Sequence, residues 1–502
     1  MSERIARKGD NGATAGCPGC EQGTLARSSG VLDLQSFAEQ LIVKTRDRVY
    51  IRPEDGLLIL RPNQLHYLNE TAVFMLDRLY AESDGPDVDG VVAEVGERYG
   101  VDQQRVRQDL VNLLQGLSSL LNDQVMGVPG VKITPFGSHK RAFPVLSEIA
   151  LTYRCNNRCT FCYASSPDRG DDLPEMTTEQ VIAIIDRIGD EAHCPTLSFT
   201  GGEPTLRPDL AELIAYAAAK EMRVNLITNG VLCGDRAFVQ RLADAGLDSA
   251  QVSIEGGSAA VHDGITQHPS SWERAAQGVR HLREAGVHTH TNTTLCGGNR
   301  QHLDELVDFL AEGLGSEYFS MNMVIRTGTA LDHDEDDIRY DEVGAIITAV
   351  QERSNAQGIH FVWYSPVPYC LFNPVQAGLG GKSCACVDGL ISVNPAGELL
   401  PCSSFERGIG NLLQQPFDKV WHSRAARYWR NKEFLPPVCE SCDIRQICCG
   451  ACPLYWDQRQ GFEELEGLAP GGSPLSAVAW RAKKALFSRT WGVGLGPGRQ
   501  GG

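Results

Sequence analysis

The chain has 502 residues, 42% of them hydrophobic and 22% charged, with 46 Lys and Arg against 63 Asp and Glu for a formal net charge of −17. That length leaves room for about three domains with packed cores, and the acidic balance argues against a nucleic-acid partner, whose phosphates need a positive face. No apolar run approaches membrane-spanning length and the opening Met-Ser-Glu-Arg carries no signal segment, so the 17 cysteines are expected as thiols in a reducing cytoplasm, not as disulfides.

Residues 1–30 are rich in Gly and Ser with little apolar content, and predict disorder. Cys17-Pro-Gly-Cys20 within them is too small for a four-ligand site and reads as incidental or as a redox pair. A small domain is expected over 31–125. Val49–Ile51 and Leu57–Leu60 read as strands joined by a turn at Pro53–Gly56. Asn69 is a plausible N-cap for a helix over Thr71–Ala81, and helices follow at Val88–Tyr99 and Gln103–Leu121. The last sets Val106, Leu110, Leu113, Leu117 and Leu120 on one face. The segments LNETAVFMLDRL and VAEVGERYGVDQQRVRQDLVNLLQGL, with three strands and then three helices, resemble the PqqD-like family, an α+β winged-helix-like domain also called the RiPP recognition element. (RiPPs are ribosomally made, post-translationally modified peptides.) The resemblance implies a leader peptide bound as an added strand along the sheet edge, against the last helix. A DNA-binding winged helix shares these elements, but the last helix has only Arg105 and Arg107 as basic residues.

A linker is expected at 126–142, around Gly127–His139, followed by a core over 143–335. Apolar strands recur at Val145–Leu151, Thr196–Thr200, Val224–Thr228, Ala250–Ile254, Val287–Thr294 and Tyr318–Val324, with helical patterns between them such as Met176–Ile188 and Trp272–Glu284. Such alternation predicts parallel βαβ units of an α/β fold. After the first strand comes Cys155-x3-Cys159-x2-Cys162. Three thiolates on one loop can bind three irons of a cubane and leave the fourth open to a ligand. After the second strand comes Gly201-Gly202-Glu203-Pro204. Together these motifs resemble the radical S-adenosylmethionine (SAM) superfamily, which implies a partial (β/α)6 TIM-like barrel with its chemistry at the C-terminal strand ends. By that resemblance Cys155, Cys159 and Cys162 ligate a [4Fe-4S] cluster, and the turn Gly201, Gly202, Glu203, Pro204 holds the methionine ammonium of SAM. Ribose and adenine contacts are implied near Ser253, Asn292 and Arg326, each equally readable as a loop-capping polar group. Cys194, Cys233 and Cys296 read as small buried apolar groups, and no spacing among His262, His268, His288 and His290 suggests a metal site.

The stretch Asp332–Glu342 reads as a solvated acidic loop, with guidance of a basic core peptide as its alternative. Beyond it, over 336–460, fall nine cysteines, with spacings Cys384-x12-Gly397-x4-Cys402 and Cys439-x2-Cys442-x5-Cys448-x3-Cys452. That density is metal-binding density. The spacing resembles the SPASM domain, which implies one or two auxiliary [4Fe-4S] clusters. The family's ligand order maps the first onto Cys370, Cys384, Cys402 and Cys452, with Cys386 a rival for Cys384. It maps the second onto Cys439, Cys442 and Cys448 with a further downstream cysteine that this chain lacks, leaving an open iron, Asp457 or Cys449 as its completion. The tail 461–502 places Arg481, Lys483, Lys484 and Arg489 among apolar residues and reads as a terminal helix packed on the enzyme, with a basic amphipathic helix touching an anionic membrane or a partner as the alternative.

These resemblances imply a radical SAM peptide maturase. It would use a precursor peptide, an external electron donor such as flavodoxin or ferredoxin, and a 5′-deoxyadenosyl radical to form a thioether or carbon–carbon cross-link. No catalytic side chain is singled out. The rivals are a radical SAM enzyme acting on a small molecule such as a tetrapyrrole side chain, and a non-catalytic iron–sulfur peptide chaperone.

Overall fold

The computed structural model describes residues 33–60, 64–81, 85–121, 131–133, 142–166, 173–435, 437–440, 442–459, 462–465 and 478. Cys17, Cys20 and the basic tail residues fall outside them.

The N-terminal domain starts with a helix absent from the sequence expectation, α1 (Leu34–Thr45). Asp33 caps it by accepting from Ser36 N, and Leu34, Ala38 and Ile42 bury one face at four-residue steps. Strands β1 (Val49–Arg52) and β2 (Leu57–Leu60) pair through the turn at Pro53–Asp55, closed by Gly56 at φ 69°. β3 (Gln64–Leu68) leads into α2 (Glu70–Ala81), where Asn69 Oδ1 accepts from Ala72 N at 2.8 Å, as the cap reading required. α3 (Val88–Tyr99) and α4 (Gln103–Leu121) have the expected bounds. The expected linker contributes a strand of its own. β4 (Val131–Ile133) pairs antiparallel with β3, Tyr67 opposite Lys132, so the sheet order is β1-β2-β3-β4.

Six parallel strands then follow in spatial order, β5 (Leu146–Thr152), β6 (Thr196–Gly201), β7 (Arg223–Thr228), β8 (Ser249–Ser253), β9 (His288–Leu295) and β10 (Tyr318–Met323). Helices α5 (Thr178–Asp186), α6 (Leu210–Ala219), α7 (Arg236–Asp244), α8 (Ala259–Thr266), α9 (Ser271–Glu284) and α10 (Leu303–Asp308) lie between them in sequence. Ile149, Leu197, Phe199, Leu226, Val252 and Phe319 are fully buried in the core, which makes the partial barrel a packed body. The later part of the chain extends both edges of the sheet. β11 (His360–Trp363), reached through α11 (Tyr340–Gln357), lies parallel outside β10. β12 (Leu390–Val393) lies parallel outside β5 and carries β13 (Glu398–Leu400) and β14 (Gly410–Asn411) with it.

The acidic stretch Asp332–Glu342 is only in part the solvated loop its charge suggests, with Asp332, Asp334, Glu335 and Asp341 exposed. Asp336 is buried and its Oδ1 accepts from Gly298 N at 3.0 Å, while the Tyr340 ring lies 3.7 Å from that of Tyr455. The stretch is a packed seam between the barrel and the cysteine-rich region. Cys194, Cys233 and Cys296 are buried in the barrel core. Among the described residues no helix is long and apolar enough to cross a membrane.

Candidate active site and cysteine clusters

Cys155, Cys159 and Cys162 lie on the loop leaving β5 and line one cavity of about 380 Å³ at the C-terminal end of the barrel. Gly201 and Gly202 from the end of β6, Asn229 after β7, Ser253 at the end of β8 and Asn292 on β9 line it too. The loop is braced by the C-terminal end of α8, where Arg158 N donates to Thr266 O at 2.9 Å and Thr160 N to Ile265 O at 3.1 Å. Thr329 Oγ1 holds Cys159 O from another side at 3.0 Å. Two sulfurs accept backbone amides, Asn157 N on Cys155 Sγ at 3.3 Å and Ser166 N on Cys162 Sγ at 3.4 Å. Burial pushes the Cys155 thiol up to about 12, with Glu203 and Cys162 adding to the effect, and Cys159 is pushed up by burial and by Cys162. Buried thiols such as Cys155 and Cys159 ionise only beside a strong positive charge, which a metal cluster supplies.

The glycines of the Gly-Gly-Glu-Pro turn serve the cysteine loop first. Gly201 sits at φ 140°, and a Cβ built there would overlap Thr152 O; one on Gly202 would overlap Arg154 O and Tyr153 O. Close approach is therefore to the chain's own backbone, as well as to the cavity. Glu203 differs from expectation. It is completely buried and does not line the cavity. Its Oε1 accepts from Thr205 N at 3.1 Å, Thr205 Oγ1 at 2.6 Å and Thr228 Oγ1 at 2.7 Å, and its Oε2 accepts from Asn229 N at 2.7 Å. The carboxylate ties the ends of β6 and β7 together and so orients Asn229, whose Nδ2 donates to Asn156 Oδ1 at 2.7 Å beside Cys155. Pro204 opens the short turn Pro204–Leu206, buried and away from the cavity.

Of the three nucleoside-contact candidates, Ser253 and Asn292 reach the cavity, the latter with its amide held between Asn322 Oδ1 at 2.7 Å and Ser320 Oγ at 2.9 Å. Arg326 does not. It pairs with Asp334 and lines a separate cavity of about 310 Å³ with Arg339, Trp456 and Arg459. The sequence gives its position near a strand end but not the turn after β10 that carries it outward.

Glu255, not singled out in the sequence, and His262, read there only as one of four histidines without metal-site spacing, both line the cavity. Glu255 is buried with its carboxyl pushed up to about 8 by desolvation, its Oε2 accepting from Thr294 N at 2.8 Å. His262, on α8, accepts from Glu255 N on Nδ1 at 3.0 Å, and burial holds the ring near pKa 4. A neutral ring that accepts on Nδ1 carries its proton on Nε2. That Nε2 is buried without a partner among the described residues. Orphaned donors at His262 Nε2 and Ser166 Oγ, beside three thiols in a cavity of this volume, fit a polar nucleoside-sized ligand on a cluster.

The C-terminal cysteines form two neighbourhoods. Cys384, Cys386 and Cys402 are in thiol contact through Cys386, and Cys452 faces Cys384 and Cys402. Lys432 is buried beside them, donating to Cys384 O at 2.7 Å. Cys439, Cys442 and Cys448 form the other group. Cys370, expected with the first, lies against this second group instead, its thiol neighbours being Cys448 and Cys442. Among the described residues no three Cys, His, Asp or Glu side chains close on one point as the ligands of a single ion would.

Comparison with known proteins gives three family matches. Residues 149–310 match the radical SAM superfamily, 384–443 the SPASM iron–sulfur cluster-binding domain, and 56–120 coenzyme PQQ synthesis protein D. The PqqA peptide cyclase of Rhizobium meliloti is 30% identical over 321 residues, 62% of this chain and 83% of its own length. The AdoMet-dependent heme synthase of Nitratidesulfovibrio vulgaris is 27% identical over 318 residues, 60% of this chain and 85% of its own. Among solved structures, Streptococcus suis SuiB bound to precursor peptide SuiA aligns with a TM-score of 0.60 at 16% identity, over 81% of this chain and 94% of that one, a likeness of fold.

Proposed function

The chain belongs to the radical SAM superfamily, and on that premise we propose that it modifies a ribosomally made peptide whose leader is held by its PqqD-like domain. The radical SAM domain implies a [4Fe-4S] cluster and SAM, and the SPASM domain implies auxiliary clusters. The observation that carries the peptide reading is the presence, in one chain, of the three-thiol cavity and a PqqD-like domain over 56–120 packed on the barrel through the buried Arg52. Similarity to a PqqA peptide cyclase supports it.

On this reading Cys155, Cys159 and Cys162 hold the cluster. Gly201 and Gly202 line the methionine end of SAM, Asn229 steadies the cysteine loop, and Ser253 and Asn292 face the nucleoside end. A cluster and SAM held there, with one electron from a donor such as flavodoxin or ferredoxin, would supply 5′-deoxyadenosyl radical chemistry that takes one hydrogen atom from the peptide. Ser403 and Ser404, from the cysteine-rich region, wall the cavity and exclude water. Glu255, beside Cys159 and held protonated near neutral pH by burial, is placed to donate a hydrogen bond into the cavity, while the peptide's second electron would pass to an auxiliary cluster and its proton to solvent. The product is a thioether or carbon–carbon cross-link two hydrogens lighter than the peptide, made in the cytoplasm.

The test is anaerobic co-expression with the short peptides encoded beside the gene, read by intact mass. The expected result is a loss of two hydrogens from one peptide, abolished by Cys159→Ala. Likeness to heme synthases supports a second reading, a tetrapyrrole or other small-molecule substrate, although that leaves residues 56–120 without a role. Unchanged peptide mass with no deuterium uptake in heavy water, while SAM is still cleaved, decides for it. Absence of any SAM cleavage decides for an iron–sulfur peptide chaperone.

A further inference from the structure

We infer that Cys370 supplies the fourth thiolate of the auxiliary cluster held by Cys439, Cys442 and Cys448, and that Cys384, Cys386, Cys402 and Cys452 complete the other cluster by themselves. The inference rests on the iron–sulfur reading of the C-terminal region and is independent of what the enzyme modifies.

The geometry starts from Tyr369, whose backbone N donates to Cys448 Sγ at 3.3 Å, so the next residue stands at the same group of thiols. The segment is anchored there twice over. Tyr369 OH accepts from Lys382 N at 2.8 Å, and Pro368 O accepts from Leu371 N at 2.9 Å and Phe372 N at 3.0 Å, a tight turn that presents Cys370 at its corner. Across from it, Cys442 N donates to Cys439 O at 3.2 Å, and Cys448 ends the short helix Arg445–Cys448. The thiols that act most on Cys439 are those of Cys448, Cys370 and Cys442. Cys370 is exposed and Cys448 buried, so the four thiols run from rim to interior, as ligands around one cluster at a domain surface do.

The other two candidates for that fourth place face elsewhere. Cys449 turns out of the short helix at φ 55°, and the charged groups acting most on its thiol are Lys432 and Cys384, ahead of Cys448. Asp457 is buried on the helix Pro453–Arg459, where its charge acts on Tyr428. The first quartet also closes without Cys370, because Cys386 touches both Cys384 and Cys402. The chain thus replaces a downstream ligand, which it lacks after Cys452, with an upstream one contributed by the turn after β11. Both auxiliary clusters are then fully thiolate-ligated, and neither has an iron open to substrate. Their task is electron transfer. Each thiol releases its proton to solvent on binding iron, and no redox step is involved.

The test uses the full chain with Cys155, Cys159 and Cys162 all changed to Ala, so that only the C-terminal clusters are read. After anaerobic reconstitution, adding Cys370→Ala is expected to remove about one iron per chain and to give the oxidised protein the EPR signal of a three-iron cluster. Cys370→Ser is expected to retain the iron but shift the Mössbauer signature of one site, and Cys449→Ala to change neither. The inference is overturned if Cys370→Ala keeps full iron and the parent spectrum, or if Cys449→Ala or Asp457→Asn produces the loss instead. Because SAM and peptide play no part, a failure here leaves the proposed reaction standing, and a failure of the peptide reading leaves this result unaffected.

Discussion

Glu203 is buried beside the three-cysteine cavity without lining it. A carboxylate with four donors aimed at it is the anchor of two strand ends, and the loop bearing Asn229 is fixed as a result. Replacing it with Gln puts an NH2 group against N–H and O–H donors, a mismatch that costs about 1–3 kcal/mol when buried. Glu203→Gln is therefore expected to lower the unfolding free energy read from urea denaturation by that amount and weaken SAM binding only as a consequence. A direct ammonium contact would instead weaken SAM binding with stability unchanged, and paired denaturation and SAM titration separates the two. His262 offers a sharper signature through pH. Its folded pKa of about 4 lies below the unfolded value of 6.5, so the unfolded chain binds the proton first as pH falls. The stability this neutral ring contributes is present above pH 6.5 and is lost as pH falls through the window toward 4, by up to about 3 kcal/mol. Changing His262 to Phe removes that dependence, and its acid limb is expected to be correspondingly flatter in urea titrations between pH 7 and 4.

At the scale of elements, pairing by a neighbour decides structure that local sequence cannot. The three residues of β4 acquire strand geometry from β3, and they occupy the very edge to which an extended leader peptide could add. An occupied edge lowers the apparent affinity of a competing strand by the fraction of time it is covered. Lys132→Pro removes a backbone donor and fixes φ in the middle of this short strand, which disfavours the pairing. A labelled leader peptide is expected to bind this variant several-fold more tightly by fluorescence anisotropy. Equal or weaker binding would show that the leader uses β1 or the helical groove between Asn69, Tyr99 and Leu113, a cavity of about 340 Å³. The same principle explains what the sequence did and did not disclose. β5 to β10 were legible because each is a self-contained apolar run before a stop signal, and α4 because Val106, Leu110 and Leu117 repeat on one face. α1 escaped because Gln, Glu and Lys separate its few buried positions, although Asp33 marked its start. Asp332–Glu342 misled because charge density says nothing of Asp336, whose burial depends on Gly298 some forty residues upstream. The ligand order of the cysteines follows from spacing only when the family's chain path is kept. Here the turn at Pro368 brings Cys370 to a group that its place in the sequence did not suggest.

For the whole molecule, the question is how a recognition domain is held where it can serve a barrel. The answer in this chain is concentrated on one side chain. Arg52, at the end of β1, is fully buried. It pairs with Asp55 through Nε at 2.8 Å and Nη2 at 2.9 Å, and donates to the carbonyls of Pro144, Phe143 and His193. The first two carbonyls precede β5 and the third precedes β6, so one guanidinium clamps the small sheet to the barrel. Leu57, Ile59 and Leu65 add an apolar patch against Val145. Arg is suited to this because its fork serves several acceptors at once, and its removal leaves a buried carboxylate unpaired. Breaking such a pair costs about 3–5 kcal/mol, here divided between domain stability and docking. Arg52→Met should therefore raise hydrogen exchange over β1 and β2 and around residues 143–146, leaving β7 to β9 protected. The functional consequence follows from tethering. A leader held on a docked domain raises the local concentration of the core at the cavity, and a loosened domain dilutes it. Processing of a full precursor by Arg52→Met is expected to fall about tenfold or more, toward the rate of a leaderless core, while peptide-independent SAM cleavage stays at the wild-type level. Unchanged leader dependence despite raised exchange at the seam would mean that the domain captures the leader but does not deliver the core.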